Sequence, residues 1–307
     1  MVVEFIDSHR DRFGVVPICL VLSGHGAGIA PSSYYAYKSR PASERCRRDV
    51  ELLAEIRRVY LGPGRGKYGA RKVWRQLKAE GQLVAKCTVE RLMRQDGLVG
   101  VIRGVKRRTT ISDPAAFRPP DLVNREFKAS RPNELWVVDF TYVSTWQQTA
   151  YTAFVTDVYS RRIVGWRCAT SMPTDLPLDA LEMALDLRAR RDEDITGLVH
   201  HSDAGSQYTA IRYTEKLAQA GALASIGSVG DSYDNALAES VNALYKTELI
   251  RGTAQGPWRT VEELELATLF WVDWYNTTRL HSSIEYLTPV AFEHSYWKQQ
   301  TLGTQTV

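Results

Sequence analysis

From residue 131 onward the chain changes texture, and that change limits the possible fold more than any other feature. Three runs rich in β-branched and aromatic residues, ELWVVDFTYV, TAYTAFVTDVYS and RRIVGWRCAT, follow one another at short intervals and read as a three-strand meander. Gly165 and the polar stretch WQQ, from Trp146, read as breaks or bends. A helix (PLDALEMALDLRAR), a short strand (GLVHHSD), a helix (IRYTEKLAQAG), a strand (ALASIGSV) and a last helix (NALAESVNALYKTEL) follow. Three antiparallel strands and then alternating helix and strand describe an α/β domain with a mixed five-stranded sheet and flanking helices.

In that order three carboxylates stand out. Asp139 falls inside the first strand, where an unpaired charge is costly to bury, so it is expected to meet a cation, a metal or solvent. Asp203 follows the fourth strand in HHSDAGSQY, where Gly205 and Ser206 favour an exposing turn. Glu239 lies 36 positions further on, on the helix after the fifth strand. The intervening chain suffices for a helix, a strand and a loop, so the last helix can return across the sheet and bring Glu239 to both aspartates. Three carboxylates converging without cysteine or histidine suit hard cations such as Mg²⁺ or Mn²⁺. Two neighbours of Glu239 in GDSYDNALAES are read differently: Asp231 lies in the glycine-flanked approach, and Asp234 is expected to cap the helix. Asn235, Asn242 or Ala243, and Lys246 share the helix face of Glu239. A cation at Lys246 could hold the phosphate that the metals polarise; the alternative is an exposed helix lysine.

The first part of the chain has another character. Residues 1–130 carry 25 Lys and Arg against 13 Asp and Glu, whereas residues 131–307 carry 14 against 22. That asymmetry hides behind a net charge of +4 and suggests a nucleic-acid-binding arm joined to something else. Residues 1–45 offer three short helices, VEFIDSHRDRFG, PICLVLSG opened by Pro17, and PSSYYAYKS. Residues 46–100 offer a clearer set. RRDVELLAEIRRVY places Val50, Leu53, Ile56 or Arg57, and Tyr60 on one stripe, YGARKVWRQLKAEG stops at Gly81, and CTVERLMRQDG stops at Gly97. With Arg71, Lys72, Arg75, Lys78, Arg91 and Arg94 on their polar sides, these helices resemble a small all-α helix-turn-helix DNA-binding region; a plain helical bundle is the alternative. Residues 101–130 read as a basic linker whose RGVKRRTT run, with Arg103, Lys106, Arg107 and Arg108, would seek phosphates.

Other classes are disfavoured. GPGRGKYG has Tyr68 where a phosphate loop needs Ser or Thr, and it follows a helix instead of a strand; GHGAG reads as a turn. Four widely separated cysteines form no C-x-x-C pair, which suits a reduced cytosolic protein. The charged start and the short VVPICLVLSG run argue against a signal peptide or a membrane span.

WVVDFTYV, HSDAGSQY, GDSYDNALAESVNALYKTEL and WYNTTRLHSSIEYLTP closely resemble the bacterial transposases of the insertion sequence three family, with four blocks in order over nearly the whole chain. The resemblance implies a ribonuclease H-like, retroviral-integrase-like core over residues 131–255 and a C-terminal helical extension over 256–307. It implies Asp139, Asp203 and Glu239 as the catalytic metal ligands, holding two Mg²⁺ (or Mn²⁺) ions per active site, with Lys246 seven positions after the glutamate contacting DNA. The implied activity is metal-dependent cleavage of transposon ends and strand transfer, through a circular intermediate. Expected partners are double-stranded DNA (terminal inverted repeats and target), a dimer or larger synaptic complex of this chain, and an upstream-frame helix-turn-helix product joined by frameshifting. The expected location is the bacterial cytoplasm, at the nucleoid. A nuclease of the same fold that only hydrolyses, and a DNA-binding repressor with a silent core, remain the alternatives. His200 and His201 flank the second aspartate, with a DNA or metal-shell role or a core role open. Trp136, Trp166, Trp258, Trp271 and Trp274 are expected to be core residues, Asp157 a turn residue, and Arg279 and His281 either DNA contacts or core.

Overall fold

The computed structural model describes residues 2–41, 43–101, 121–123, 127–171, 175–203, 208, 211–226, 236–251 and 258–304. The chain divides into two compact units, Met1–Glu55 and Ile56–Val307. Among the described residues, no helix is long and apolar enough to cross a membrane.

The first unit holds α1 (Val2–Phe13), α2 (Val15–Gly24) and α3 (Pro31–Ser39) around Ile6, Ile18, Cys19 and Tyr34. Helix α2 begins two residues before Pro17, which was expected to open it; Gly14, at φ 78°, makes the turn, and Pro17 sits in the first turn, where a missing N–H costs nothing. Tyr34 O–H donates to Asp7 Oδ1 at 2.7 Å, joining α3 to α1.

In the second unit, Ile56 and Val59 of α4 (Glu44–Leu61) are buried, as are Val73 and Leu77 of α5 (Ala70–Ala79) and Val89, Leu92 and Met93 of α6 (Lys86–Gln95). Gly81 and Gly97, at φ 85° and 70°, end α5 and α6 in the left-handed conformation that glycine takes freely. The expected α4 stripe is shifted: Val50 is 66% exposed, and Arg57 points outward to pair with Asp96. The buried positions of α4 are Ile56 and Val59, and Arg57 and Arg58 tie the helix to the ends of α6 and α5 through Asp96 and Glu80.

The sheet comprises β1 (Leu135–Ser144), β2 (Thr149–Asp157), β3 (Ile163–Ala169), β4 (Val199–Ser202) and β5 (Leu223–Ile226), in the order β3-β2-β1-β4-β5. β1 to β3 are antiparallel, and β4 and β5 run parallel to β1. Alternation along β1 decides the layers. Trp136 and Val138 join a core with α7 (Asp175–Ala189) and α8 (Ile211–Gln219), whereas Leu135 and Val137 join Ala238 of α9 (Ala236–Tyr245) on the other face. Asp139, two residues past Val137, therefore points to the α9 side. A π-helical turn (Lys246–Ile250), α10 (Val261–Thr277), a 3₁₀ turn (Ser282–Ile284) and α11 (Pro289–Thr304) follow. Trp136, Trp166, Trp258, Trp271 and Trp274 are all buried, as expected of core residues.

Gly165 does not break β3. It pairs with Val155 beside a register shift, and its place is fixed by α7: a Cβ there would lie 2.0 Å from the Ala180 carbonyl oxygen. Because that obstacle is backbone, Gly165→Ala is expected to cost about 2 kcal/mol or more, read as a lower urea midpoint; an unchanged midpoint would show that α7 does not lie this close.

Three links clasp the α4–α6 helices to the C-terminal elements. Trp274 Nε1–H donates to the Pro63 carbonyl at 2.7 Å, Tyr68 O–H to the Thr278 carbonyl at 3.0 Å, and the Leu280 amide to Tyr68 Oη at 2.9 Å. A second binding device is ionic. Arg188, fully buried, reaches Glu193 (2.6 Å), Glu293 of α11 (2.7 Å) and Asp157 (3.6 Å), and Arg162 reaches Glu293 at 2.7 Å. Asp157 does shape the turn, as expected, by accepting from the Ser160 amide at 2.8 Å. It is also part of this ion cluster, a role no local sequence signal marks.

Candidate active site

Strand register brings the first two acids together. β1 and β4 are parallel with Val137 beside His201, so continuing two residues sets Asp203, just past the end of β4, beside Asp139. The third acid arrives on α9, whose buried stripe is Ala238, Val241, Asn242 and Tyr245. Glu239 stands half-buried at the border of that stripe. The carboxyl group of Asp139 is pushed up to about 8, first by burial and then by repulsion from Asp203 and Glu239; the Phe140 amide and Asn242 oppose the rise. Both other acids thus act on Asp139 through space. Among the described residues, no three His, Cys, Asp or Glu side chains are gathered closely enough to enclose a metal ion; like charges are expected to hold apart without a cation between them.

Asn242, which shares the helix face of Glu239, does more than space that face. Its Nδ2 donates to Asp139 Oδ2 at 2.9 Å, and the Phe140 amide donates to Asp139 Oδ1 at 2.8 Å, so both carboxylate oxygens are oriented. The available signal was a polar residue within the apolar stripe of α9. Tyr208 is buried close enough for Asp203 and Asp139 to help burial raise its phenol well above the ordinary range.

Lys246 begins the π-helical turn and lies over the Tyr142 ring, 4.3 Å from its centroid. Burial lowers its pKa, with Arg251 adding to the fall and Asp139 opposing it, so the ammonium senses the acid site. Asn235, Arg103, Lys106, Arg107 and Arg108 lie outside the described residues, as do Asp231 and Asp234. The remaining helix cations separate. Arg71 and Lys72 line a cleft against α9, whereas Arg75 lies over the rings of Trp74 and Tyr286, at 5.2 and 4.8 Å.

Two open readings are decided by burial. His200 and His201 are each 1% exposed; burial lowers His200 to about 3, with Tyr213 Oη at 3.2 Å, and His201 Nδ1 lies 2.9 Å from Ser225 Oγ. Both are buried core residues. Arg279 is buried with Glu248, its Nη2 2.7 Å from Oε1, and His281 packs edge-on against Tyr275, so this pair braces the C-terminal elements.

A mixed sheet of this order, with one acid inside the central strand, one just past the end of its parallel neighbour and one on a crossing helix, is the architecture of an integrase-type catalytic core. The family model for the integrase core domain matches residues 129–232, a second integrase core model matches 221–289, and an HTH-like domain model matches 47–106. The chain is 51% identical over 297 residues to the transposase for insertion sequence element IS629 of Shigella sonnei, covering 95% of each protein. It is 54% identical over 273 residues to a Mycobacterium tuberculosis protein named for the transposase of IS986/IS6110, covering 89% of this chain and 97% of that one. Among solved structures, the catalytic core domain of HTLV-2 integrase in complex with magnesium is 16% identical, spans 54% of this chain and all of its own, and gives a TM-score of 0.42. The chain belongs to the transposases of IS6110-type insertion sequences. It is a DNA transposase, a polynucleotidyl transferase of the Asp-Asp-Glu class.

Proposed function

We propose that Asp139, Asp203 and Glu239 are the catalytic acids of this transposase and that they hold Mg²⁺ or Mn²⁺, two ions per site. The observation that carries the reading is the setting of Asp139: a half-buried carboxyl with both oxygens oriented, by the Phe140 amide and Asn242, and raised first by burial and then by the charges of Asp203 and Glu239. An all-oxygen donor set of this kind fits a hard divalent cation. When bound, such ions polarise the scissile phosphate and activate first a water and then a 3′-hydroxyl for in-line displacement. The chain's own residues do the positioning. The Phe140 amide and Asn242 aim Asp139, the sheet sets Asp203 beside it, and α9 presents Glu239. Lys246, whose ammonium lies over the Tyr142 ring, would hold a DNA phosphate near the acids. Asn235 and the helix and linker cations Arg71, Lys72, Arg75, Arg103, Lys106, Arg107 and Arg108 are the proposed DNA contacts.

Residues 46–100 then serve as the DNA-binding module, 101–130 as linker, 131–255 as catalytic core and 256–307 as extension, with 1–45 a separate helical region. Two DNA ends require at least two active sites, so a dimer or larger synaptic complex of this chain is the working form, with an upstream-frame helix-turn-helix protein as a further partner. The substrates are the terminal inverted repeats and target DNA, met at the nucleoid of a bacterial cell.

A thermal-shift titration with Mg²⁺ tests the acid site. Without metal, Asp139 keeps its proton in the folded chain up to about 8 but ionises near 3.8 when unfolded, so its contribution to stability is present at low pH and lost as pH rises through that window. A cation must displace that proton at pH 6 but not above pH 8. Mg²⁺ is therefore expected to raise the melting temperature more at the higher pH, and Asp139→Asn to remove the difference. Equal Mg²⁺ shifts in the two proteins would overturn the assignment.

A further inference from the structure

Behind the acid-bearing face of α9 lies a cleft of about 760 Å³ that no step of the proposed chemistry uses. One wall is the helix-turn-helix-like region, with Lys67, Arg71 and Lys72; the other is α9, with Leu237, Ser240 and Leu244; Arg161, from the β2–β3 hairpin, also lines it. Its two acids are already paired, Glu90 with Lys86 at 3.0 Å and Glu248 with Arg279 at 2.7 Å. The other lining charges are all positive.

Arg161 is the informative residue. Its backbone is left-handed, at φ 63°, a conformation that suits glycine and strains an arginine. Its Nε is buried and has no hydrogen-bond partner among the described residues, although its amide closes the hairpin on the Asp157 carbonyl at 2.9 Å. A turn that favours glycine thus carries a half-buried cation facing a basic cleft. Strain and an unsatisfied buried donor on one residue that also lines a basic cleft are grounds for assigning it a ligand contact.

We propose that this cleft binds the sugar–phosphate backbone of one DNA strand, with Arg161 donating to a phosphate and Lys67, Arg71 and Lys72 neutralising its neighbours. Leu237 and Leu244 offer an apolar wall to the sugars, and the volume suits a short run of one strand. The site lies on the opposite side of α9 from the carboxylates, so the catalytic helix is gripped by DNA from behind while its front face meets the scissile bond. The inference rests on the chain being a DNA transposase and is independent of which carboxylates bind metal.

The test is DNA binding by the full chain across a salt series, using a duplex carrying a transposon end and an unrelated duplex of equal length. Arg161→Gly keeps the fold, since glycine takes this conformation freely, and melting curves check it. The variant is expected to bind both duplexes about tenfold more weakly, the loss of one charged hydrogen bond. The slope of log affinity against log salt should fall by about one. Arg161→Lys should restore most of the affinity. Unchanged affinity and slope overturn the proposal, and so does a loss confined to the end duplex, which would mean base reading. If Arg161→Gly does not fold, Lys67→Gln, at the rim, must lower the slope by the same step on both duplexes; an unchanged slope there also overturns it.

Discussion

Glu239→Gln is expected to abolish both end cleavage and strand transfer while leaving binding to transposon-end DNA within a few-fold of the parent. The substitution keeps the size and helix propensity of the side chain and removes one negative oxygen ligand. A loss on the order of a thousandfold or more is anticipated, corresponding to about 4 kcal/mol of transition-state stabilisation. The assay pairs gel-shift binding with detection of nicked and joined products in Mg²⁺, so that a binding defect is not mistaken for a catalytic one. Wild-type rates per bound complex in the glutamine variant would show that another carboxylate does this work. Asp234, the neighbouring acid expected to cap the helix, would be the first to examine.

The second large effect is on stability and falls far from the acids. Arg188→Met should leave Asp157 and Glu293 buried without their principal cation; Arg162 still reaches Glu293 at 2.7 Å, but Asp157 loses the arginine that lies 3.6 Å from it. Breaking a buried ion cluster from one side typically costs about 3–5 kcal/mol, because the stranded charges keep their desolvation penalty. A loss of that size would be read as a fall in the denaturant midpoint at constant slope. A loss below about 1 kcal/mol would mean that the cluster is hydrated and loosely held. Glu293→Gln should cost less, since a neutral amide still accepts from both arginines.

The order of strands and helices was legible because each segment carries its own periodicity: period two in WVVDFTYV, helical spacing in NALAESVNALY. Asp139 was legible as a charge that a strand would not otherwise hold, and the distance from Asp203 to Glu239 left room for the helix to return. What could not be read depends on partners far apart in the chain. Asn242 looks like any polar helix residue until Asp139 is set opposite it. Arg188 and Glu293 are 105 positions apart, and nothing local marks either as buried. Gly165 looked like a break because a missing side chain usually loosens a strand; here it makes room for the backbone of α7. One helix can be drawn with several apolar stripes: Val50 shares a sequence stripe with Ile56, yet it is exposed while Ile56 and Val59 are buried. Arg279 and His281 sit in a block full of polar letters, yet Glu248 and Tyr275 draw both inward.

The hydrogen bonds that join the loop after α4 to the α10 region, Trp274 to Pro63 and Tyr68 to Thr278, bear on where the DNA is cut. A recognition module tethered only by flexible chain would let the active site wander along the duplex, and the cleavage position would blur by several base pairs. If the α4–α6 helices read the DNA sequence, as proposed, the Trp274 and Tyr68 hydrogen bonds to backbone carbonyls would turn the arrangement into a gauge, and the scissile phosphate would be measured off by the protein's own dimensions. Precision of transposon excision would then be a property of a few core hydrogen bonds, and loosening them should scatter the cut sites before it slows the cutting.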